Sequence, residues 1–116
     1  MKYKPTEFIV DSSEEFETMV MNRDFRIAKA IVDGIFANLT TKKKNVHLIS
    51  VIIEEENSTY DITIERKNFA ETLEENLPHY VSEERYEDCQ RITNTIEQLK
   101  MDEIGNILSK VSRSKK

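Results

Sequence analysis

Val46-His47-Leu48-Ile49-Ser50-Val51-Ile52-Ile53 is a dense β-branched run, and Thr59-Tyr60-Asp61-Ile62-Thr63-Ile64-Glu65 alternates apolar with polar residues, with only Glu54-Glu55-Glu56-Asn57-Ser58 between them. Two such runs joined by a short polar segment read as an antiparallel hairpin. In the second run Tyr60, Ile62 and Ile64 point one way and Thr59, Asp61, Thr63 and Glu65 the other, so one face is wet. The first run conflicts with this. Strict alternation sets Ile49, Val51 and Ile53 on one face and Val46, Leu48 and Ile52 on the opposite one, where helices packed on a single side would not cover them. Either Phe8-Ile9-Val10 supplies a third strand or a second copy covers that face, with Val46, Leu48 and Ile52 as the self-association residues.

Helical periodicity flanks the hairpin on both sides. Ser12 with Glu15 three positions later forms a capping-box pattern, and Phe16, Met19, Val20, then Phe25, Ala28, Ile31, Val32, Ile35, Phe36 and Leu39 keep a 3.6-residue stripe. Asn22-Arg23-Asp24 interrupts it, so residues 12–39 are one bent helix or two. Gly34 within the stripe suggests a close neighbour. After the hairpin, Asn68 caps a helix carrying Phe69, Leu73 and Leu77, and Pro78 ends or kinks it. Ser82 starts the next helix, with Tyr86, Cys89, Ile92, Ile96 and Leu99 as its buried stripe, and Asp102 caps a short last helix with Ile104, Ile107, Leu108 and Val111. The expectation is a single α+β domain over residues 1–111, ordered αββαα, with a disordered basic tail over 112–116.

Composition narrows function. The chain has 116 residues, two glycines, two prolines, one cysteine and two histidines. This is too little turn chemistry for a sandwich, a barrel or a glycine-lined nucleotide site. No disulfide can close, and a four-ligand zinc centre lacks ligands. No cofactor or metal is expected. The longest apolar runs are three residues, so no signal peptide or membrane span is read, and a reducing cytoplasm is the expected location.

Catalysis finds no candidate either. Cys89 falls on an apolar helix stripe beside Glu87 and Asp88, whose charge opposes thiolate formation, and His47 and His79 have no partner at ligand spacing. The chain is therefore read as a non-enzyme. Charge supplies the positive candidates: residues 67–103 carry 4 basic against 10 acidic residues, and residues 104–116 carry 4 against 0. An acidic helical hairpin with Glu74, Glu75, Tyr80, Glu83, Glu84, Tyr86, Glu87 and Asp88 suits a basic groove on a partner protein. Lys42, Lys43 and Lys44, with Arg113, Lys115 and Lys116, are the alternative, as phosphate contacts of a nucleic-acid-associated regulator.

Tyr86-Glu87-Asp88-Cys89-Gln90-Arg91-Ile92-Thr93-Asn94-Thr95-Ile96-Glu97-Gln98-Leu99 resembles the UVR motif, the helical hairpin of bacterial excision-repair and protease-adaptor proteins. Tyr86 and Glu87 match its opening, Cys89 its small residue, Arg91 its arginine, and Ile92, Ile96 and Leu99 its apolar frame. Thr93-Asn94 stands where the family has Arg-Asp, and Gln90 replaces a small residue. Over residues 68–99 the resemblance implies a protein-interaction module, and the chain is read as a non-catalytic adaptor or inhibitor. The short acidic chain, rich in Lys, Asn and Glu, also resembles in style the accessory proteins of large tailed phages.

Overall fold

In a computed structural model, residues 3–114 are described, apart from the side chains at positions 106 and 109–114. The chain is mixed α+β and divides into two compact units, Met1–Asn68 and Phe69–Lys116.

The first unit holds a three-stranded sheet. Strand β1 (Thr6–Val10) is followed by helices α1 (Ser13–Met21) and α2 (Phe25–Ala37), then by β2 (Asn45–Ile53) and β3 (Ser58–Glu65). The sheet order is β1-β2-β3, with β1 parallel and β3 antiparallel to the central strand. The two-stranded expectation is thus corrected. Phe8-Ile9-Val10 joins the sheet as a third strand, and the helix pair is the crossover that a parallel connection requires.

A bulge resolves the facing conflict. The β2–β3 register shifts between His47 and Ile49, leaving Leu48 as the extra residue. Because two residues of β2 then oppose one of β3, Val46, Leu48, Ile49, Val51 and Ile53 all reach the helix-covered face. All are 3% exposed or less. The expectation that Val46 and Leu48 lie on an uncovered face is therefore wrong, since it assumed unbroken alternation. Each buried aliphatic side chain contributes about 1.5–3 kcal/mol of transfer free energy. Ile52 alone of the three stays on the far face, half-buried, paired in register with Ile9.

The carbonyls of His47 and Leu48, at the bulge, receive the Tyr3 hydroxyl at 3.0 and 3.3 Å. Burial, and to a lesser degree the nearby Asp33 carboxylate, pushes the Tyr3 phenol above its ordinary pKa.

Residues 12–39 form two helices. Ser12 Oγ accepts from the Glu15 amide at 3.3 Å, and the Glu15 carboxylate accepts from the Asp11 amide at 2.8 Å, one residue before the reciprocal position of a capping box. At the far end of α1, Asp24 N donates to Met19 O and Arg23 N to Val20 O, the Schellman pattern, with Arg23 at φ 54°. Asp24 then caps α2 through the Arg26 amide. Asn38, 1% exposed at the end of α2, donates to Gly34 O at 2.8 Å.

In the second unit a 3-10 turn (Arg66–Asn68) of the first leads into α3 (Phe69–Ser82), which a three-residue turn joins to α4 (Tyr86–Ser114). Phe69, Leu73, Tyr80, Ile92 and Ile96 are its buried core. Two boundary expectations fail here, and of the two outcomes read for Pro78 the first does not occur. Pro78 does not end α3, which runs on to Ser82; the burial of Tyr80 beyond it offsets the backbone bond that proline removes. Ser82 closes α3 rather than opening α4. Asp102 caps nothing, because α4 continues through it for 29 residues in all. The helix includes positions 112–114, whereas residues 115 and 116 of the expected tail lie outside the described ones.

Candidate functional site: the acidic hairpin tip

The turn between α3 and α4 is built by backbone chemistry that the side chains do not advertise. Arg85 N donates to Tyr80 O and Glu84 N to Val81 O, both at 3.0 Å, a second Schellman closure. The left-handed position falls on Glu84, at φ 56°, where glycine is usual. The closure turns Tyr80 inward, 3% exposed, and leaves Val81 and Tyr86 outward, 52% and 65% exposed.

Tyr80 therefore does not belong to the displayed surface expected of it. Its sequence neighbours Glu83, Glu84, Tyr86 and Glu87 are exposed, and Asp88 is half-buried, 3.8 Å from Arg85 Nη1. Glu75 is exposed one and a half turns back along α3, and Glu74 is occupied by Lys100 at 2.7 Å. Val81 and Tyr86 are thus exposed at a turn rich in carboxylates, and Glu87 and Asp88 stand in the first turn of α4, where the macrodipole favours acids.

The lysine run takes a different place. Lys42, Lys43 and Lys44 are exposed in the α2–β2 connection, whose path is fixed by Arg66. That guanidinium donates to the carbonyls of Asn38 and Lys43 and to Thr41 Oγ1 at 2.7–2.8 Å. The side chains of Arg113, Lys115 and Lys116 lie outside the described ones. Cys89 is half-buried on α4 rather than fully enclosed.

One polar cluster escaped the sequence reading. On the far sheet face, His47 Nε2 lies 3.0 Å from Ser50 Oγ, 3.2 Å from Asp61 Oδ1 and 3.0 Å from Ile49 O, and Ser50 Oγ donates to Asp61 Oδ1 at 3.1 Å. The residue types are those of a nucleophilic triad but the geometry is not. A triad joins its acid and its serine to different ring nitrogens. Here one nitrogen meets everything, and a proton donated from Nε2 to the Ile49 carbonyl leaves no lone pair there to deprotonate Ser50. The bulge brings His47 over Ser50, and a bulge was the one signal that periodicity could not supply.

Among the described residues no group of three or more His, Cys, Asp or Glu is placed to hold a metal ion, and no helix is long and apolar enough to cross a membrane. Comparison with protein-family models, curated proteins and solved structures found no match.

Proposed function

We propose that this chain is a non-catalytic protein-interaction module of the cytoplasm, an adaptor or inhibitor, that binds another protein through the acidic tip of its α3–α4 hairpin. The observation that carries the reading is Tyr86, 65% exposed with Glu83, Glu84 and Glu87 exposed beside it. Tyrosine is among the residue types that most often concentrate binding energy when an interface forms over them. The likeness of residues 68–99 to the UVR hairpin and the phage-accessory style of the composition support the same class. A nucleic-acid role through Lys42, Lys43 and Lys44 is the alternative outcome of the test.

A photo-crosslinking amino acid at position 86, expressed in the native host, captures the partner in this reading. The adduct persists after nuclease treatment and is lost on Glu83→Lys with Glu87→Lys. Adducts that vanish with nuclease, or that depend on Lys42→Glu, Lys43→Glu and Lys44→Glu instead, overturn it in favour of nucleic acid.

A further inference from the structure

Strand β3 stands at an edge of the sheet, and among the described residues no strand pairs with its outer side. One bond fixes its hydrogen-bonding phase. Arg66 N donates to Lys44 O at 2.7 Å, one position beyond the Glu65–Asn45 pair, so residues 64, 62, 60 and 58 turn their backbone groups toward β2 and residues 65, 63, 61 and 59 turn theirs outward. Tyr60, Ile62 and Ile64 lie opposite Val51, Ile49 and Val46 and share their face. Yet Tyr60 is 53% exposed and the two isoleucines are half-buried, where their partners on β2 are 3% exposed or less. The apolar row stops short at this strand. The devices that usually guard an edge are missing from it: β3 holds no proline and no lysine, and its mid-strand charge, Asp61, is held back over β2 by Ser50 Oγ at 3.1 Å and His47 Nε2 at 3.2 Å.

We propose that β3 pairs antiparallel with β3 of a second copy of the chain, about a two-fold axis at Ile62, joining the two sheets into one. Self-complementarity selects the occupant and the register. Outward-turned residues must meet outward-turned residues, so two self-pairings keep seven of the eight strand residues matched, 58–64 about Asp61 or 59–65 about Ile62. The first sets Asp61 against Asp61. The second sets Asp61 against Thr63 and Glu65 against Thr59, so that each carboxylate of the strand meets a hydroxyl on the far face. On the other face it sets Tyr60 against Ile64 and Ile62 against its own copy, and the rows Val51-Tyr60 and Ile49-Ile62 run on into the second sheet. A two-fold contact requires a patch that matches itself in this way. A parallel pair of the same two edges would turn one sheet over and lay its apolar row beside the other's polar one.

The pairing uses no residue of the α3–α4 hairpin and does not depend on the tip. Sedimentation of the full chain over a concentration series tests it. Wild type dimerises. Thr63→Glu, with unchanged circular dichroism, weakens the dimer about tenfold by setting a carboxylate against Asp61 at two symmetric contacts, and Thr63→Lys at the same exposed position associates at least as tightly as wild type. Crosslinking reads the register. In a Cys89→Ala background treated with diamide, Ile62→Cys gives a disulfide-linked dimer, because residues at a non-hydrogen-bonded antiparallel pair have Cα atoms about 4.5 Å apart, within disulfide reach. Thr59→Cys does not, since six residues along the strands set it roughly 20 Å from its own copy. A wild-type chain that stays monomeric up to roughly 1 mM, the weak limit of specific association, overturns the proposal. So does crosslinking through Ile62→Cys no faster than through Thr59→Cys, or a dimer that Thr63→Glu and Thr63→Lys affect alike.

Discussion

Gly34 is where the helix-propensity scale gives the wrong sign. Alanine there improves an α-helix by about 1 kcal/mol relative to glycine. Yet a Cβ at Gly34 would lie 2.5 Å from Leu48 Cδ2 and 2.8 Å from the Tyr3 hydroxyl oxygen. Both neighbours are held: Leu48 is 1% exposed, and Tyr3 is tied to the bulge carbonyls. Overpacking of this kind costs about 1–3 kcal/mol, so Gly34→Ala destabilises on balance by about 1 kcal/mol in urea unfolding. Leu48→Val, which removes the offending methyl, makes the same Gly34→Ala change less costly, and a double-mutant cycle reads the difference. A close neighbour of Gly34 was legible in the sequence as a glycine interrupting a helical stripe. Its identity was not, because Leu48 reaches α2 only by way of a bulge, and a bulge leaves no mark in a period-two pattern.

At the scale of elements, the long stripes were legible and the joints were not. The strands expected at 46–53 and 59–65 are found at Asn45–Ile53 and Ser58–Glu65, since cross-strand packing follows directly from alternation. Strand β1 was readable only as an alternative, because five residues with two of them buried give too short a pattern to settle a strand. Both helix-to-helix joints use αL residues that are not glycine, Arg23 and Glu84, so no glycine marked them. Substitution to glycine removes the Cβ strain of that conformation, and Arg23→Gly accordingly raises stability by about 1 kcal/mol without touching the core.

The same joint carries a pH dependence. The side-chain hydrogen bond from Arg26, 2.7 Å away, holds the Asp24 carboxyl below its ordinary pKa, with burial opposing more weakly. A carboxyl depressed on folding adds stability above its unfolded pKa and loses it as pH falls through the folded one. Asp24→Asn keeps the cap but not the ion pair. Its small deficit at neutral pH therefore disappears in acid, below about pH 4, and Asp24→Ala costs about 1 kcal/mol more throughout because it loses the cap as well.

Three groups of apolar side chains have different consequences. The first is the helix-covered sheet face, where Leu48 is 1% exposed; the second is the far sheet face, where Ile9 is 63% exposed beside half-buried Ile52; the third is the outer half of α4. Burial ranks them for stability. Leu48→Ala leaves a cavity and costs about 2–5 kcal/mol, whereas Ile9→Lys, at a solvated position, stays within about 0.5 kcal/mol of wild type. Two isoleucines flanked by Glu7, Ser50, Asp61 and Thr59 make a small patch of the kind that monomers tolerate. Ile9→Lys therefore also leaves the sedimentation behaviour of the chain unchanged. A chain that sediments as a dimer and becomes monomeric on Ile9→Lys would instead place a contact between copies on the open face of the sheet.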